Sequence, residues 1–337
     1  MEKDNHHNKA MEPSQGVLTR ARLKAAVAAA ELARLDIPLS IATCMAESRF
    51  GEAVGCLVLL SRAFYSDAQL WGAFKEHQGP KGRTRLMYAA VMGNVARARF
   101  LLDRGARMEV VDSDGFNALM IASFVGSLEV ARLLMERGAN VSAARILDGY
   151  TALMMASFEG HLEIAQLLVE EGANVNAART DDGMKALILA SWNGRLEIAQ
   201  LLVERGAYVN AAETDGRTAL MWASEKGHLS IAQLLVERGA NVNATRTDDG
   251  WTALIGASFY GHLGIAQLLV EGGANVSAAA TDNGYTALML AREKRHLETV
   301  RFLLSRGASK TARNSAGKTA YDLSAAYPAI RALVKPL

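Results

Sequence analysis

Cysteine is nearly absent from this 337-residue chain, which has only Cys44 and Cys56. Two thiols cannot form the disulfide framework that staples secreted scaffolds, so the composition suits a reducing compartment, cytoplasmic or nuclear. Net charge is nearly absent too, with 37 Lys and Arg against 35 Asp and Glu. No global field draws such a chain onto nucleic acid or an anionic membrane, and neither is expected as a partner. Long apolar runs are missing: the longest uninterrupted aliphatic stretch near the N-terminus is Leu57 to Leu60. Neither a signal peptide nor a membrane-spanning helix is expected. What is plentiful is apolar residue overall, at 50% with 21% charged, enough to bury a large core.

The charge that exists is unevenly placed. Residues 1–113 carry +4, 114–148 carry −1, 149–281 carry −7 and 282–337 carry +6. An acidic middle between basic ends matters more for partner choice than the total does.

A glycine ladder organises most of the chain. Gly82, Gly115, Gly149, Gly183, Gly216, Gly250, Gly284 and Gly317 follow one another at spacings of 33 or 34 residues. A second glycine, always before alanine, recurs from Gly105 to Gly307, and a third recurs from Gly93 to Gly261 with Arg295 in its place in the seventh unit. Within one unit Thr151 suits a helix N-cap, Ala152 to Ala156 supply a short apolar helix, and Gly160 suits its left-handed stop. A second helix is predicted over Leu162 to Glu171, with Ile164, Leu167 and Leu168 at helical spacing, closed by Gly172. Asp181 and Asp182 before Gly183 mark the turn of a projecting hairpin.

The run D-G-Y-T-A-L-M-M-A-S-F-E-G-H-L-E-I-A-Q-L-L-V-E-E-G-A-N-V-N, residues 148 to 176, resembles the ankyrin repeat. The resemblance covers residues 82–337 as seven full units and a partial eighth, Gly317 to Val334, which reads as a C-terminal cap with Pro328 in the first turn of its last helix. It implies an all-α solenoid of stacked helix pairs with projecting hairpins. Two departures from the family stand out. Alanine replaces the proline after the threonine, as at Ala152 and Ala253, and Met120, Met154, Ile188, Met221, Ile255 and Met289 replace the family's histidine. Stacking is therefore expected to lean on apolar packing.

Candidate chemistry is thin. His161, His228, His262 and His296 each sit in a different unit and are read as structural, as the resemblance implies, with no metal site expected. The segment A-R-N-S-A-G-K-T, residues 312 to 319, imitates a phosphate loop but lacks its first glycine and a preceding strand. Asp181, Asp182, Asp215, Asp248, Asp249 and Asp282 are read as stabilising their own turns. No nucleophile with a base and an orienting group is apparent, so no catalytic residue, cofactor or enzymatic activity is expected.

The informative positions are those where the units disagree. I-A-Q-L-L-V-E occurs four times unchanged, from Ile164, Ile198, Ile231 and Ile265, which signals a shared internal environment. Residues after the hairpin glycine and before the mid-unit glycine vary, and they hold Phe116, Phe124, Tyr150, Phe158, Trp192, Trp251, Phe259, Tyr260 and Tyr285, nine of the chain's 21 aromatics. The ankyrin resemblance places both sets on the concave groove, where aromatics serve as anchors for a protein partner. The alternative is that the rings pack sideways on neighbouring units and stiffen the stack. Arg217, Glu225 and Lys226 are expected to interrupt the stripe in the fifth unit, leaving two apolar stretches around a charged one.

The N-terminal segment reads differently. Residues 1–16 form a polar tail expected to be disordered, Arg20 to Leu35 is a predicted helix, and Leu39 to Trp71 holds apolar residues for two or three more. S-R-A-F-Y-S-D-A-Q-L-W, residues 61 to 71, with Pro38 upstream, is similar to the close of an F-box, the motif that docks substrate adaptors on a ubiquitin-ligase linker. Ser40, Thr43, Glu47 and Arg49 dilute the aliphatic core that motif needs, so residues 17–80 are read first as a helical cap and second as F-box-like. The repeat domain is expected over 81–337, acting as a non-catalytic scaffold for another protein, with the ligase adaptor as the alternative function.

Overall fold

A computed structural model describes residues 82–324 and 328–335. The tail, helix, cap and F-box readings of residues 1–80 lie outside the described residues. The chain divides into two bodies at Ala106 and Arg107. The described part of the first body is one helix pair, α1 (Arg85–Val91) and α2 (Val95–Asp103). Thr84 opens α1, its hydroxyl accepting from Met87 N–H at 3.2 Å, and Asn94 opens α2 by accepting from Arg97 N–H at 2.9 Å. Leu86, Met87, Ala90 and Ala98 fill the space between the two helices.

The second body contains α3 (Ala118–Val125), α4 (Leu128–Glu136), α5 (Ala152–Glu159), α6 (Leu162–Glu170), α7 (Ala186–Trp192) and α8 (Leu196–Glu204). It continues through α9 (Ala219–Lys226), α10 (Leu229–Glu237), α11 (Ala253–Tyr260), α12 (Leu263–Glu271), α13 (Ala287–Glu293) and α14 (Leu297–Ser305). A 3₁₀ turn at Asp322–Ser324 and α15 (Pro328–Leu333) close it, with Pro328 in the first turn where its missing N–H costs nothing. No strand occurs among the described residues. Hairpins are held by single bridges such as Ala144 to Thr151 and Ala178 to Lys185.

Helices this short are unstable alone, so each needs a cap and a buried face. Asn117, Thr151, Thr218, Thr252 and Thr286 supply the cap to the first helix of their repeats, accepting from the N–H three residues on. The fourth repeat has Lys185 there and no side-chain cap. Burial does the rest: first helices stack on first helices and second helices on second helices along the body. Met120, Met154, Ile188, Met221, Ile255 and Met289 lie at 2% exposure or less, in the stacking layer expected of them. Ile164, Leu168, Ile198, Leu202, Ile231, Leu235, Ile265 and Leu269 form the equally buried layer of the second row. Each such side chain contributes roughly 1.5–3 kcal/mol through removal from water.

Three polar rails run between repeats in register with that packing. Hairpins are stitched by Thr180 N–H to Asp148 O, Thr214 to Asp182, Thr247 to Asp215 and Thr281 to Asp249, at 2.7–2.8 Å. Asn176, Asn210 and Asn243 each donate to a carbonyl of the next repeat, Gly206, Gly239 and Gly273, and each accepts a backbone N–H from it. The third rail is the histidines: Nε2–H of His161, His228, His262 and His296 donates to the carbonyl of Phe124, Trp192, Glu225 and Phe259 at 3.0–3.2 Å. In the fourth repeat Arg195 Nε takes that role on Phe158 O at 3.3 Å.

The imidazole rail explains the mid-unit glycine. A Cβ at Gly126 would come within 2.5 Å of the His161 ring, and φ there is +79°. In the seventh repeat Arg295 adopts φ +67° without a glycine, and the residue of the eighth unit that stands where His296 would recur is Ala329. No imidazole then demands the space.

Candidate functional site

All nine rings of the expected stripe fall in the second body, at the ends of first helices or just after the hairpin glycines. Tyr260 is the most open of them at 47% exposure, and the other eight are half-buried. Side contacts account for that burial. Phe158 meets Trp192 edge-on at 6.0 Å, Trp192 stacks on Trp222 at 4.8 Å, Trp251 lies 5.4 Å from Phe259, and Phe259 meets Tyr260 at 4.9 Å. Phe158, Trp192 and Trp222 therefore link repeats three to five through side contacts.

Host cations cover several ring faces. Arg145 lies over Phe116 at 4.6 Å and also faces Tyr150, Arg179 lies over Tyr150 at 4.8 Å, Arg246 is 5.9 Å from Trp251, and Lys294 is 4.4 Å from Phe259. The hairpin aspartates hold these guanidiniums in place. Asp148 pairs with Arg145, Asp181 with Arg179 at 2.6 Å, and Asp248 with Arg246 at 2.9 Å. Asp148, Asp182, Asp215 and Asp249 each also accept the N–H two residues on, which is the turn-stabilising role read from sequence.

In the fifth repeat Trp222, one turn before Glu225 on α9, is buried at 7% exposure and packs among Arg217, Glu225 and Lys226, the residues expected to interrupt the stripe. Arg217 covers Trp222 at 4.2 Å, Lys226 sits over Trp192 and Trp222 at 6.0 and 5.8 Å, and the indole N–H of Trp222 donates to Glu213. Repeats two, three, four, six and seven have Ile121, Met155, Leu189, Gly256 and Leu290 at the Trp222 position, and the first repeat has the aromatic Tyr88. Sequence reasoning missed it because only the pair before the mid-unit glycine was compared. Gly256 on α11 opens the space that Glu225 fills, since a Cβ there would lie 2.9 Å from Glu225 Cγ.

Glu225 is placed between Arg217 at 4.0 Å and Arg246 at 3.9 Å. Burial nonetheless keeps its carboxyl above the ordinary range, with the two guanidiniums and Lys226 opposing. Burial pushes Glu213 up to about 7 even though Trp222 donates to it, and Asp215 and Asp182 add to the rise while Arg217 opposes it. Glu159, beside Phe158, is raised by burial with Arg195 opposing, and its Oε1 is buried without a hydrogen-bond partner. Desolvation lowers His161 and His262, with the carbonyls of Phe124 and Glu225 opposing.

Among the described residues no group of three or more His, Cys, Asp and Glu could hold a metal ion. The phosphate-loop imitation folds as a turn: Gly317 takes φ +71° and Thr319 exchanges hydrogen bonds with Asp322. No described helix is long and apolar enough to cross a membrane.

With this geometry in view, the sequence was compared with known proteins. A family model described as ankyrin repeats in three copies matches residues 46–145, 142–213, 181–246, 208–280 and 241–314. A search of curated proteins returned no match.

Proposed function

Because the chain belongs to the ankyrin-repeat family, whose repeats generally serve as protein–protein interaction modules, we propose that it is a non-catalytic scaffold holding another protein. The partner docks on the concave face of the second body, made by first helices and hairpins. The observation that carries this reading is the set of partly exposed rings Phe158, Trp192, Phe259 and Tyr260 at the ends of first helices, with Trp222 buried beside Trp192 as support. The repeat packs without rings at these positions, so their presence on one accessible face supports a binding role.

The test compares proteins that co-purify with the wild-type chain and with Tyr260→Ala. Tyr260 is the ring with the most open surface, so its loss is expected to release the partner by about 2 kcal/mol of affinity while the melting temperature stays nearly unchanged. Equal recovery with Tyr260→Ala and Trp192→Ala, alongside lower melting for the latter, would make the rings structural. Independence of metal and cofactor is checked by adding a chelator, which is expected to leave helical circular dichroism and melting unaltered.

The F-box-like adaptor remains the alternative for the N-terminal segment. The family match begins at residue 46, inside that segment, which supports the repeat-cap reading over it. Comparing residues 81–337 with the full chain separates the two: a cap is needed for stability and solubility, whereas an F-box is needed for recovery of a ligase linker protein.

A further inference from the structure

The aromatic face has a charge problem that its own residues do not solve. On the first helices and hairpins of repeats three to six, residues 149–281, eight Asp and Glu stand against five Lys and Arg. Three guanidiniums of these hairpins are shared by five hairpin carboxylates and Glu225 of α9. Arg179 meets Asp181 and Asp182 at 2.6 and 3.3 Å, Arg217 meets Asp215 and Glu225 at 3.7 and 4.0 Å, and Arg246 meets Asp248, Asp249 and Glu225 at 2.9, 3.3 and 3.9 Å. The excess is reachable, since the Asp181 and Asp248 side chains are 45% and 44% exposed. Glu159 adds a further carboxylate in the ring row itself, with one oxygen unpartnered and Arg195 outside ion-pair distance.

Lys226 shows what the rings accept. It makes no ion pair among the described residues, and its ammonium instead lies over Trp192 and Trp222. The stacked indoles thus form a seat for a cation, with Glu225 beside it on the same helix. The neighbouring arginines offer little to a partner carboxylate, because each is already held by two or more acids.

We infer that the occupant of this face is a basic segment of another protein, whose Arg or Lys side chains meet Glu159 and the surplus hairpin aspartates while its apolar side chains lie on Trp192, Phe259 and Tyr260. This rests on the scaffold reading above and gives it a partner class. The Glu159 carboxyl, raised by burial with only Arg195 opposing, agrees with it.

The test uses the full chain and three synthetic peptides of equal length, each alternating leucine with arginine, glutamate or serine, titrated while following fluorescence anisotropy and heat. The arginine peptide is expected to bind tightest and to weaken with salt. Glu159→Gln and Asp181→Asn are each expected to weaken it about threefold, and Lys226→Glu to tighten it by a similar factor. Stronger binding of the glutamate peptide, still lost in Tyr260→Ala, would overturn the basic partner and leave the aromatic face standing. Arginine-peptide binding untouched by Tyr260→Ala and Trp192→Ala would sink the face itself. Binding that ignores Glu159→Gln, Asp181→Asn and Lys226→Glu alike would also overturn the proposal, since general attraction to an acidic protein would then suffice.

Discussion

The two rows of helices in the second body have been written under different rules. The second helices α6, α8, α10 and α12 share I-A-Q-L-L-V-E without change, and their Ile, Ala and second Leu are all buried at 2% exposure or less. The first helices keep a buried stripe but vary at their C-terminal ends, from Phe158 and Glu159 to Trp192 and Asn193 to Glu225 and Lys226. Each second helix meets the same neighbours above and below, so one set of shapes satisfies all of them. The ends of the first helices meet no such uniform demand, and their variety is available for recognition.

That contrast predicts the largest effect for a second-row core residue. Leu168→Ala is expected to cost about 2–5 kcal/mol, through lost transfer energy plus a cavity that close packing refills only in part. Tyr260→Ala should cost under about 1 kcal/mol of stability and act on binding instead. Urea melts of both variants check this. Comparable losses would mean that the first-row ends are as much core as the second row.

The glycine and histidine rail comes next in size. Gly126→Ala must adopt a left-handed backbone that costs a side chain about 1–2 kcal/mol, and its new methyl must also displace His161 from the carbonyl of Phe124. A melting temperature close to wild type would show that the imidazole yields easily.

Trp192 tests the middle ground, since it belongs to the variable face and still ties repeats together. Trp192→Ala is expected to cost about 1–2 kcal/mol, and a double-mutant cycle with Trp222→Ala should return a coupling of about 0.5–1.5 kcal/mol for the stacked pair. Zero coupling would make the stack a coincidence of two independent rings.

Glu213 sharpens the comparison through pH. Its carboxyl is raised from 4.5 to about 7, so the folded state holds a proton that the unfolded chain gives up. The resulting stability is full below about pH 4.5 and is lost as pH rises to about 7. Glu213→Gln keeps an acceptor for the Trp222 indole and does not ionise. Relative to wild type it should gain of the order of 1 kcal/mol between those limits, a figure reduced for the group's partial exposure. A constant difference across that range would remove Glu213 as the titrating group.

Much of this could be read in the sequence because repetition fixes environment. The glycine ladder set the helix boundaries, Thr151 and its counterparts were legible as caps, and the methionines in place of the family's histidine were legible as packing. The nine rings were found as a set, but their mutual contacts were not, because edge and stacked geometry depends on rotamers that spacing does not encode. Trp222 escaped because the same position is aliphatic or glycine in repeats two to four, six and seven, with another ring, Tyr88, only in the first. The asparagine rail escaped because the position is asparagine only in Asn176, Asn210 and Asn243 and changes to Ser142 and Ser277 in flanking units, and spacing alone gives no sign of whether a short polar side chain serves its own turn or the next repeat.

The smallest predicted effect lies where the repetition ends. Arg295 holds φ +67° at the position where six earlier repeats have glycine, and a non-glycine residue in that region carries a strain of about 1 kcal/mol. Glycine would relieve the strain but would enlarge the conformational freedom of the unfolded chain, which offsets part of the gain. Arg295→Gly should therefore stabilise by about 0.5 kcal/mol, read as a small upward shift in melting temperature. Gly261→Arg, the mirror change one repeat earlier, should destabilise sharply because the His296 ring occupies the space its side chain needs. If both variants moved stability by similar small amounts, backbone strain alone would govern the position. A small gain at Arg295 beside a large loss at Gly261 would show that the next repeat's imidazole makes glycine obligatory, and that the seventh repeat was released from this requirement because no imidazole follows it.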